Sequence, residues 1–385
     1  MIDPRRDDRE RLPEPVRDYL GELGRLEPPA DLLDGALDRI AALPAPRRPF
    51  PWVRGAALAA GAVAVAVVVV GGGLLTDDRP PGASASPVPT PLELSPPPLD
   101  ALPAAGTVEA TFPIPPGTAP ALHAHGSLWL TSDPPATLTR VDPATGDVLA
   151  TIELSTLTAR RYNTAPVSDG RWIWASAGGD ETIVRIDPQT NEIVDRYPVE
   201  AAGYQMLATG TDVWMTDFEL NVLVRIDADT GAVISRTRMP IGPAGIALTD
   251  EGLWVSIWNA PRLLLFDPDT MEQLAEYRIA ENSIKVEVSG DSLYISGNAG
   301  RPAERFSIPE RRVVAQTEEM NVVLLADRPW GMTFDGRLVR LDPATLAWQA
   351  GRQVDMAGCD CDSLVAGTDR LYIGTGAAEL VVIAP

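Results

Sequence analysis

Lysine, histidine and cysteine are almost absent from this sequence. Among its 385 residues there is one lysine, Lys285, with two histidines, His123 and His125, and two cysteines, Cys359 and Cys361. A four-ligand zinc site would need all four His and Cys residues, which are far apart along the chain, so we expect no metal centre and no cofactor. A P-loop, a dinucleotide-binding fingerprint and a serine-nucleophile motif are also missing from the sequence.

Positive charge is scarce as well. Arg and Lys together number 32 against 53 Asp and Glu, and the formal net charge is −21. Nucleic-acid binding depends on clustered basic side chains that neutralise phosphates, so this balance argues against a nucleic-acid partner. The length of the chain exceeds that of a usual single domain, which predicts one large domain with additional segments.

The two cysteines lie in the short sequence CDCD. Outside the cytoplasm thiols tend to be oxidised, and this favours a local disulfide between Cys359 and Cys361. A thiolate metal site that adds Asp360 and Asp362 would need further ligands, and two free thiols are the third alternative. Of these three, we expect the disulfide.

Residues 1–50 are polar and carry mixed charge. Two stretches, EPVRDYLGELGRL and PADLLDGALDRIAAL, place apolar residues at helical spacing and predict two short amphipathic helices. Two short helices bury too little surface to form a core of their own. We therefore expect them to stay loosely ordered or to dock on a cytoplasmic protein partner.

A long uncharged run, GAALAAGAVAVAVVVVGGGLL, occupies residues 55–75. It can cross a bilayer as a helix, which needs about 20 residues, and we place a transmembrane helix at residues 52–75. A buried core helix is one alternative, but soluble helices seldom lack polar positions over such a length. A cleaved signal peptide is another, with ASAS at residues 83–86 as a cleavage site, but a long polar segment precedes the run.

The charges that flank the uncharged run predict its orientation. Arg47, Arg48 and Arg54 precede the run, and two Asp residues follow it. The positive-inside rule then puts the N-terminus in the cytoplasm and the large C-terminal part outside the membrane. Residues 76–105 are rich in proline and predict an extended, semi-rigid linker.

A unit of about 40 residues recurs through residues 106–385, and this length is typical of propeller blades. Each unit alternates apolar and polar residues, as half-buried strands do, and contains a turn of the DPATG type. We interpret it as four strands, a to d, with an aromatic residue on strand b and the turn between strands c and d. Seven copies predict an all-β, seven-bladed β-propeller. The marker aromatics are Trp129, Trp174, Trp214, Trp254, Tyr294, Trp330 and Tyr372.

The two ends of the repeat region are complementary. The last copy stops after ELVVIAP, which is its strand c, and an additional strand, TVEATFPI at residues 107–114, precedes the first copy. We expect this N-terminal strand to become the fourth strand of the last blade. Such an arrangement closes the ring and protects sheet edges that would otherwise be open.

The pattern V.RIDP.TG.V......P.GIA...GLWV resembles the YVTN/YncE-type and streptogramin-lyase-like bacterial β-propellers, most clearly in residues 165–280. The resemblance implies the propeller fold, although propellers carry many unrelated functions. Streptogramin lyases of this family use His and Glu side chains from different blades, which meet at the central channel as acid–base groups. Here both histidines lie in one strand of the first blade, ALHAHGS, so we expect no enzymatic activity.

The loops that join strand d to the next strand a, and strand b to strand c, differ most between copies. They share one face around the channel, where binding would reside. Aromatic residues beside Arg and Asn suit a polar ligand or a protein surface, and the alternative is ordinary solvated loops. Trp258 is the most specific feature because the other copies lack Trp at its position. The candidate ligand-binding residues are Arg160, Arg161, Tyr162, Tyr204, Asp217, Phe218, Trp258, Asn259, Arg262, Lys285 and Arg301.

The sequence therefore predicts a membrane-anchored propeller outside the cytoplasm that acts as a ligand- or protein-binding, sensing or scaffold module. A lyase or hydrolase that acts in the channel is the competing enzymatic hypothesis. A third hypothesis comes from the helices before the transmembrane run, whose arrangement resembles that of membrane-bound anti-sigma factors. The zinc-binding His/Cys motif of many such factors is absent here.

Overall fold

The computed structural model describes most of the C-terminal three quarters of the chain. The predicted cytoplasmic helices, the predicted transmembrane helix, Cys359 and Cys361 lie outside the described residues. Within the part that is described, no helix is long and apolar enough to cross a membrane. The described ranges are 96–132, 136–155, 165–177, 180–355 and 364–385.

Seven antiparallel sheets of four strands each form the described region, and the prediction of an all-β, seven-bladed propeller is confirmed. The first strands of neighbouring blades contact one another, which puts strand a of each blade innermost. A short 3-10 helix, Leu99–Ala101, precedes the strands.

Strands are numbered β1 to β28 in chain order, and blades 1 to 3 follow one another along the chain. Their strands, from a to d, are β2 (Thr118–Ala124), β3 (Ser127–Ser132), β4 (Thr137–Val141) and β5 (Val148–Glu153); β6 (Val167–Ser168), β7 (Ile173–Ser176), β8 (Thr182–Asp187) and β9 (Glu192–Pro198); and β10 (Gln205–Ala208), β11 (Asp212–Asp217), β12 (Val222–Asp227) and β13 (Val233–Arg238).

Blades 4 to 7 continue the series, and the last blade takes its fourth strand from the start of the region. Their strands are β14 (Pro243–Thr249), β15 (Gly252–Ile257), β16 (Arg262–Phe266) and β17 (Gln273–Arg278); β18 (Ser283–Ser289), β19 (Ser292–Gly297), β20 (Glu304–Ser307) and β21 (Arg312–Gln316); β22 (Asn321–Leu325), β23 (Arg328–Met332), β24 (Arg337–Leu341) and β25 (Trp348–Gln353); and β26 (Leu364–Ala366), β27 (Leu371–Gly374), β28 (Glu379–Ala384) and β1 (Thr107–Pro113).

The turn between strands c and d is built on an Asp side chain, as the sequence predicts. In blade 3, Asp227 Oδ1 accepts hydrogen bonds from the backbone N–H groups of Thr230 at 2.7 Å and Asp229 at 3.1 Å. These bonds stabilise the carboxylate, and the bond from Thr230 contributes most to lowering the pKa of Asp227. The same turn recurs at Asp142, Asp187, Asp267 and Asp342.

An arginine of strand c joins one blade to the next. The guanidinium carbon of Arg225 lies 4.9 Å from the centroid of the Trp214 ring, and its Nη1 donates to the carbonyl of Pro268 in the next blade at 2.8 Å. The marker aromatics themselves are buried, which confirms that they belong to the core. Blade 4 has Leu265 at the arginine position. The arginines that reach the next blade's turn in the same way are Arg140, Arg185 and Arg305.

Buried hydroxyl groups make a second connection between blades. Ser256, two residues after the marker Trp254, donates from Oγ to the carbonyl of Ser283 in the next blade at 3.1 Å. The same Oγ accepts a hydrogen bond from the N–H of Gly245 at 2.9 Å. A buried polar group without a partner is costly, so these bonds hold blade 4 at a fixed height against blade 5. The equivalent hydroxyls are Ser176, Thr216 and Ser296.

The N-terminal strand completes the ring, as predicted. Strand β1 pairs antiparallel with β28, from Thr107 opposite Ala384 to Pro113 opposite Glu379. Blade 7 is therefore assembled from the two ends of the described region, and its ladder of hydrogen bonds closes the propeller.

The residues just before β1 also attach to the propeller, although the sequence assigns them to the linker. The backbone N–H of Ala105 donates to the carbonyl of Gly351 in β25 at 3.0 Å, and Gly351 N–H donates to the carbonyl of Pro103 at 2.9 Å. A Cβ on Gly351 would lie 2.4 Å from a methyl carbon of Leu99. A larger residue in β25 at this position would displace the Leu99 side chain, and glycine allows the close approach.

Replacing Ser256 with Ala tests the hydroxyl connection. The Ser256→Ala change leaves the Ser283 carbonyl and the Gly245 N–H without their buried partner, so we expect the free energy of unfolding to fall by about 1–3 kcal/mol. Chemical denaturation of the full chain measures this change. Ser235 is the control because its buried Oγ has no hydrogen-bond partner among the described residues. An equal loss from Ser235→Ala would contradict the account.

Candidate functional site

Three candidate residues from two blades meet on the face formed by the d–a and b–c loops, which we call the loop face. Tyr204 precedes β10, Phe218 follows β11, and Trp258 follows β15. The ring centroids of Tyr204 and Phe218 lie 5.1 Å apart, those of Tyr204 and Trp258 6.1 Å, and those of Phe218 and Trp258 6.4 Å. Tyr204 is edge-on to both other rings, and all three residues are partly exposed. We call these three residues the aromatic cluster.

Backbone hydrogen bonds fix Trp258 within this cluster. Asn221 Oδ1 accepts from Gly242 N–H at 2.8 Å, and the Gly242 carbonyl accepts from Trp258 N–H at 2.6 Å. The Trp258 carbonyl in turn accepts from Asn282 N–H at 2.7 Å. Gly242 has φ +76°, which glycine adopts without strain, and this conformation brings its backbone close to Trp258 and Asn259. Four loops, including that of Trp258 itself, are therefore joined to one another by these bonds.

Asp217 has a structural position rather than an exposed one. It is 3% exposed, and its Oδ1 accepts from the N–H groups of Glu219 at 2.9 Å and Leu220 at 2.8 Å. Its Oδ2 accepts from Ala202 N–H at 2.9 Å. The carboxylate thus holds both loops that carry Tyr204 and Phe218, and its ionic charge is compensated by backbone donors.

The three candidate cations on blades 4 and 5 are each joined to a carboxylate. Such pairing reduces the charge that they offer to a ligand, so the loop face has little free positive charge at these positions. Asn259 is exposed beside Trp258. The pairs are Arg262 with Glu276 at 2.5 Å, Lys285 with Glu287 at 2.7 Å and Arg301 with Glu281 at 2.7 Å.

The remaining candidates lie outside the described residues. Arg160, Arg161 and Tyr162 belong to the loop between blades 1 and 2, and Cys359 and Cys361 to the loop between blades 6 and 7. Their predicted roles in ligand binding and in a disulfide stay predictions.

Two exposed aliphatic residues next to the aromatic cluster were not among the candidates. Leu220 is 46% exposed and lies two residues after Phe218, and Ile241 is 65% exposed and lies directly before Gly242. One feature of the sequence indicates an exposed apolar residue at Ile241. It is an aliphatic side chain in the turn-rich stretch PIGPAG, and residues in turns are usually polar. They add exposed apolar side chains to the loops of blades 3 and 4 that lead to the aromatic cluster.

A buried carboxylate was also missed. Glu304 begins β20 and is 2% exposed. Its Oε2 accepts from Ala280 N–H at 2.7 Å and its Oε1 from Gln316 Nε2 at 2.6 Å. Burial raises the pKa of Glu304, and the two hydrogen bonds oppose that rise. The signal is visible in the repeat, since the equivalent residues of four other blades are Val184, Val224, Leu264 and Val339.

The two histidines lie away from the aromatic cluster. His123 in β2 stacks on Tyr372 of blade 7 with 5.5 Å between ring centroids, and burial lowers its pKa against the opposing effect of Asp369. His125 lies in the turn between β2 and β3, with Nε2 3.1 Å from Ser168 Oγ. The Ser168 hydroxyl donates its proton to the carbonyl of Trp172 at 3.0 Å. Ser168 Oγ also accepts from the Gly170 N–H at 3.1 Å, so the contact with His125 belongs to the hydrogen-bonded turn after β6.

Acidic residues are numerous, but their grouping does not suggest a metal centre in the part of the chain that the structure covers. Among those residues, no three or more His, Cys, Asp or Glu side chains come together in a way that could hold a metal ion.

Comparison with known proteins gives structural matches alone. No protein-family model matches the chain, and no curated protein matches its sequence. The structure of BamB from Moraxella catarrhalis is similar with a TM-score of 0.53 and 14% identity, over 73% of this chain and 100% of that one. A streptogramin B lyase structure is similar with a TM-score of 0.58 and 16% identity, over 72% of this chain and 97% of that one. At such identities the similarity shows the fold, so the chain is a seven-bladed β-propeller protein of a class with many functions.

Replacing Gly242 with Ala tests how Trp258 is held. An Ala at φ +76° is strained, and its Cβ would lie 3.3 Å from the Cβ of Trp258. We expect Gly242→Ala to lower the free energy of unfolding by more than the roughly 1–2 kcal/mol of backbone strain. Gly117 is the matched control, because it has the same φ of +76° and a Cβ added there would meet no atom within 4 Å. Equal losses in the two variants, measured by denaturation, would show that Gly242 does not constrain Trp258.

Proposed function

We propose that this chain is a membrane-anchored propeller outside the cytoplasm, which binds a ligand or a partner protein through its loop face at blades 3 to 5. The observation that carries the proposal is the aromatic cluster. Its three rings pack on one another and stay partly exposed, whereas the marker aromatics of the blades are buried. Exposed aromatic side chains at a fixed position are typical of the residues that contribute most to binding.

The surroundings of the aromatic cluster support binding rather than ordinary solvated loops. The loops are joined to one another by the bonds of Asn221, Gly242 and Trp258, so little conformational freedom is lost when a partner binds. Leu220 and Ile241 extend the apolar surface, and Asn259 offers an exposed amide that can both donate and accept. An apolar centre with polar groups at its border is the usual composition of a recognition surface.

The membrane anchor and its orientation belong to the same proposal. They are supported by the uncharged run within residues 52–75, by the arginines before it and by the proline-rich linker after it. Residues 1–50 would then contact a cytoplasmic protein partner, and ligand binding outside the membrane could be signalled to it as in anti-sigma-factor-like proteins. The repeat sequence supports kinship with YVTN/YncE-type propellers.

An enzymatic role is the competing hypothesis, because the fold is similar to that of a streptogramin B lyase. Acid–base catalysis needs a proton-transferring group within hydrogen-bond reach of a bound substrate. His123 packs on Tyr372, and His125 binds Ser168 on the opposite side of blade 2 from the loop face. These positions favour the binding function.

Site-specific cross-linking tests the proposed binding face. A photoreactive amino acid replaces Asn259, exposed beside Trp258, in full-length chain expressed in cells. We expect a discrete cross-linked species or, for a small ligand, a ligand-dependent rise in the Tm of the purified chain. The matched control replaces Thr190, which is exposed in the c–d turn of blade 2 on the other face. Equal cross-linking at both positions, or none together with no shift of Tm, would contradict the proposal.

A further inference from the structure

Glu304 has no acidic counterpart at the same position of the other blades. Its position on strand c is occupied by buried Val or Leu in four other blades, where it contributes to the core. A carboxylate costs free energy at such a position unless hydrogen bonds satisfy it. Glu304 obtains those bonds from Gln316 in its own blade and from the backbone of Ala280, in the loop that enters blade 5.

The loop that contains Ala280 leads directly to the aromatic cluster. Two residues after Ala280, the N–H of Asn282 donates to the carbonyl of Trp258 at 2.7 Å. A second hydrogen bond fixes the same short loop, because Ser283 Oγ donates to the Ala280 carbonyl at 2.8 Å. A displacement of Ala280 therefore changes the position of Asn282, and with it the bond that holds Trp258.

We propose that Glu304 is a positioning residue of the loop face, which acts through Ala280 and Asn282 on Trp258, so that its protonation changes the aromatic cluster and the affinity for a partner. This inference rests on the proposed binding function and specifies how the binding face is regulated. An ionised Glu304 accepts charge-assisted hydrogen bonds with both oxygens. When Glu304 is protonated, one carboxyl oxygen still accepts and the other carries a proton that can be donated. The hydrogen bond from the Ala280 N–H or the one from Gln316 then becomes weaker.

Burial sets the pH range of this change. Because desolvation raises the pKa of Glu304, protonation takes place at a higher pH than the value of about 4.3 for an exposed Glu. The raised pKa also means that ionisation of Glu304 opposes folding. At a pH below the pKa that Glu304 has in the unfolded chain, protonated Glu304 contributes fully to the free energy of unfolding. This contribution is lost as the pH rises through the higher pKa of Glu304 in the folded chain.

Several charged groups on the elements around Glu304 are paired or hydrogen bonded. Burial raises the pKa of Glu318 and Glu319 as well, so these two need their own controls. The contacts are Glu281 with Arg301 at 2.7 Å, Glu318 with Arg337 at 2.9 Å, Arg262 with Glu276 at 2.5 Å, Lys285 with Glu287 at 2.7 Å, and Glu319 with the Gly300 N–H at 2.8 Å.

Fluorine NMR of the full chain, labelled with fluorotryptophan and held in detergent micelles, tests the proposal without a ligand. A Trp258→Phe variant assigns the Trp258 resonance, which is then followed from about pH 8 to about pH 4. We expect it to shift with a midpoint above about 4.3. The resonance of Trp330, buried among apolar side chains of blades 6 and 7, provides an internal control that stays constant.

Variants identify the titrating group. In Glu304→Gln the Trp258 shift should disappear, and the resonance should stay near its acid position, because Gln resembles the protonated acid and Gln316 can turn its amide to pair with it. Glu304→Leu restores the residue type of the repeat and should abolish the shift as well, which keeps the test valid if Glu304→Gln folds poorly. Glu318→Gln and Glu319→Gln should leave the shift unchanged.

Two results would overturn the inference. The first is a Trp258 resonance that does not depend on pH, and the second is a shift that persists in both Glu304 variants or is lost in Glu319→Gln instead. If Asn259 still cross-links a partner under either result, the proposed binding function stands and the role of Glu304 fails. If the Trp258 resonance titrates as expected but the loop face binds nothing, the proposed function fails instead.

Discussion

The hydrogen bonds between neighbouring blades are the constraint on which the rest of the structure depends. A four-stranded blade cannot bury both of its faces alone, so each blade must be held at a fixed height and angle against the next. Buried hydroxyls such as Ser256 provide this connection near strand a, and arginines such as Arg225 provide it near the c–d turns. The closing pair of β1 and β28 turns this series of contacts into a ring.

The ring determines where function can lie. The residues that recur in most blades are used in these contacts, and the loops at one end of the sheets are free to differ. Trp258 depends on both parts. It follows closely after Ser256, which is bonded to blade 5, and its backbone is bonded to Gly242 and Asn282 in the adjoining loops. The aromatic cluster is therefore a continuation of the rigid ring.

Much of this fold could be predicted from the sequence because it comes from local patterns. The marker aromatics and Asp turns recur at a fixed spacing, and the missing last strand matches the additional strand at the start. The composition of the aromatic cluster was predicted residue by residue, but not its assembly, since Tyr204, Phe218 and Trp258 come from different repeats. Their proximity depends on the backbone conformation of Gly242, which no periodic pattern reports.

The ion pairs and the buried acid illustrate two further limits. Arg262 reaches Glu276 across the β16–β17 pair, whose register shifts at Leu265, so a pairing counted from the turn alone would be out by one residue. Glu304 was visible in the sequence as a Glu where other blades have Val or Leu. Its importance depends on the bond to Ala280, which joins strand c of blade 5 to the loop that enters that blade.

Amide hydrogen exchange at the loop face tests the central claim, that the aromatic cluster is held as rigidly as the blades. We expect the N–H groups of Gly242, Trp258 and Asn282 to exchange nearly as slowly as those of β15, because each donates to a fixed acceptor. Exchange of these three amides at the rate of open loops, with β15 still protected, would contradict it.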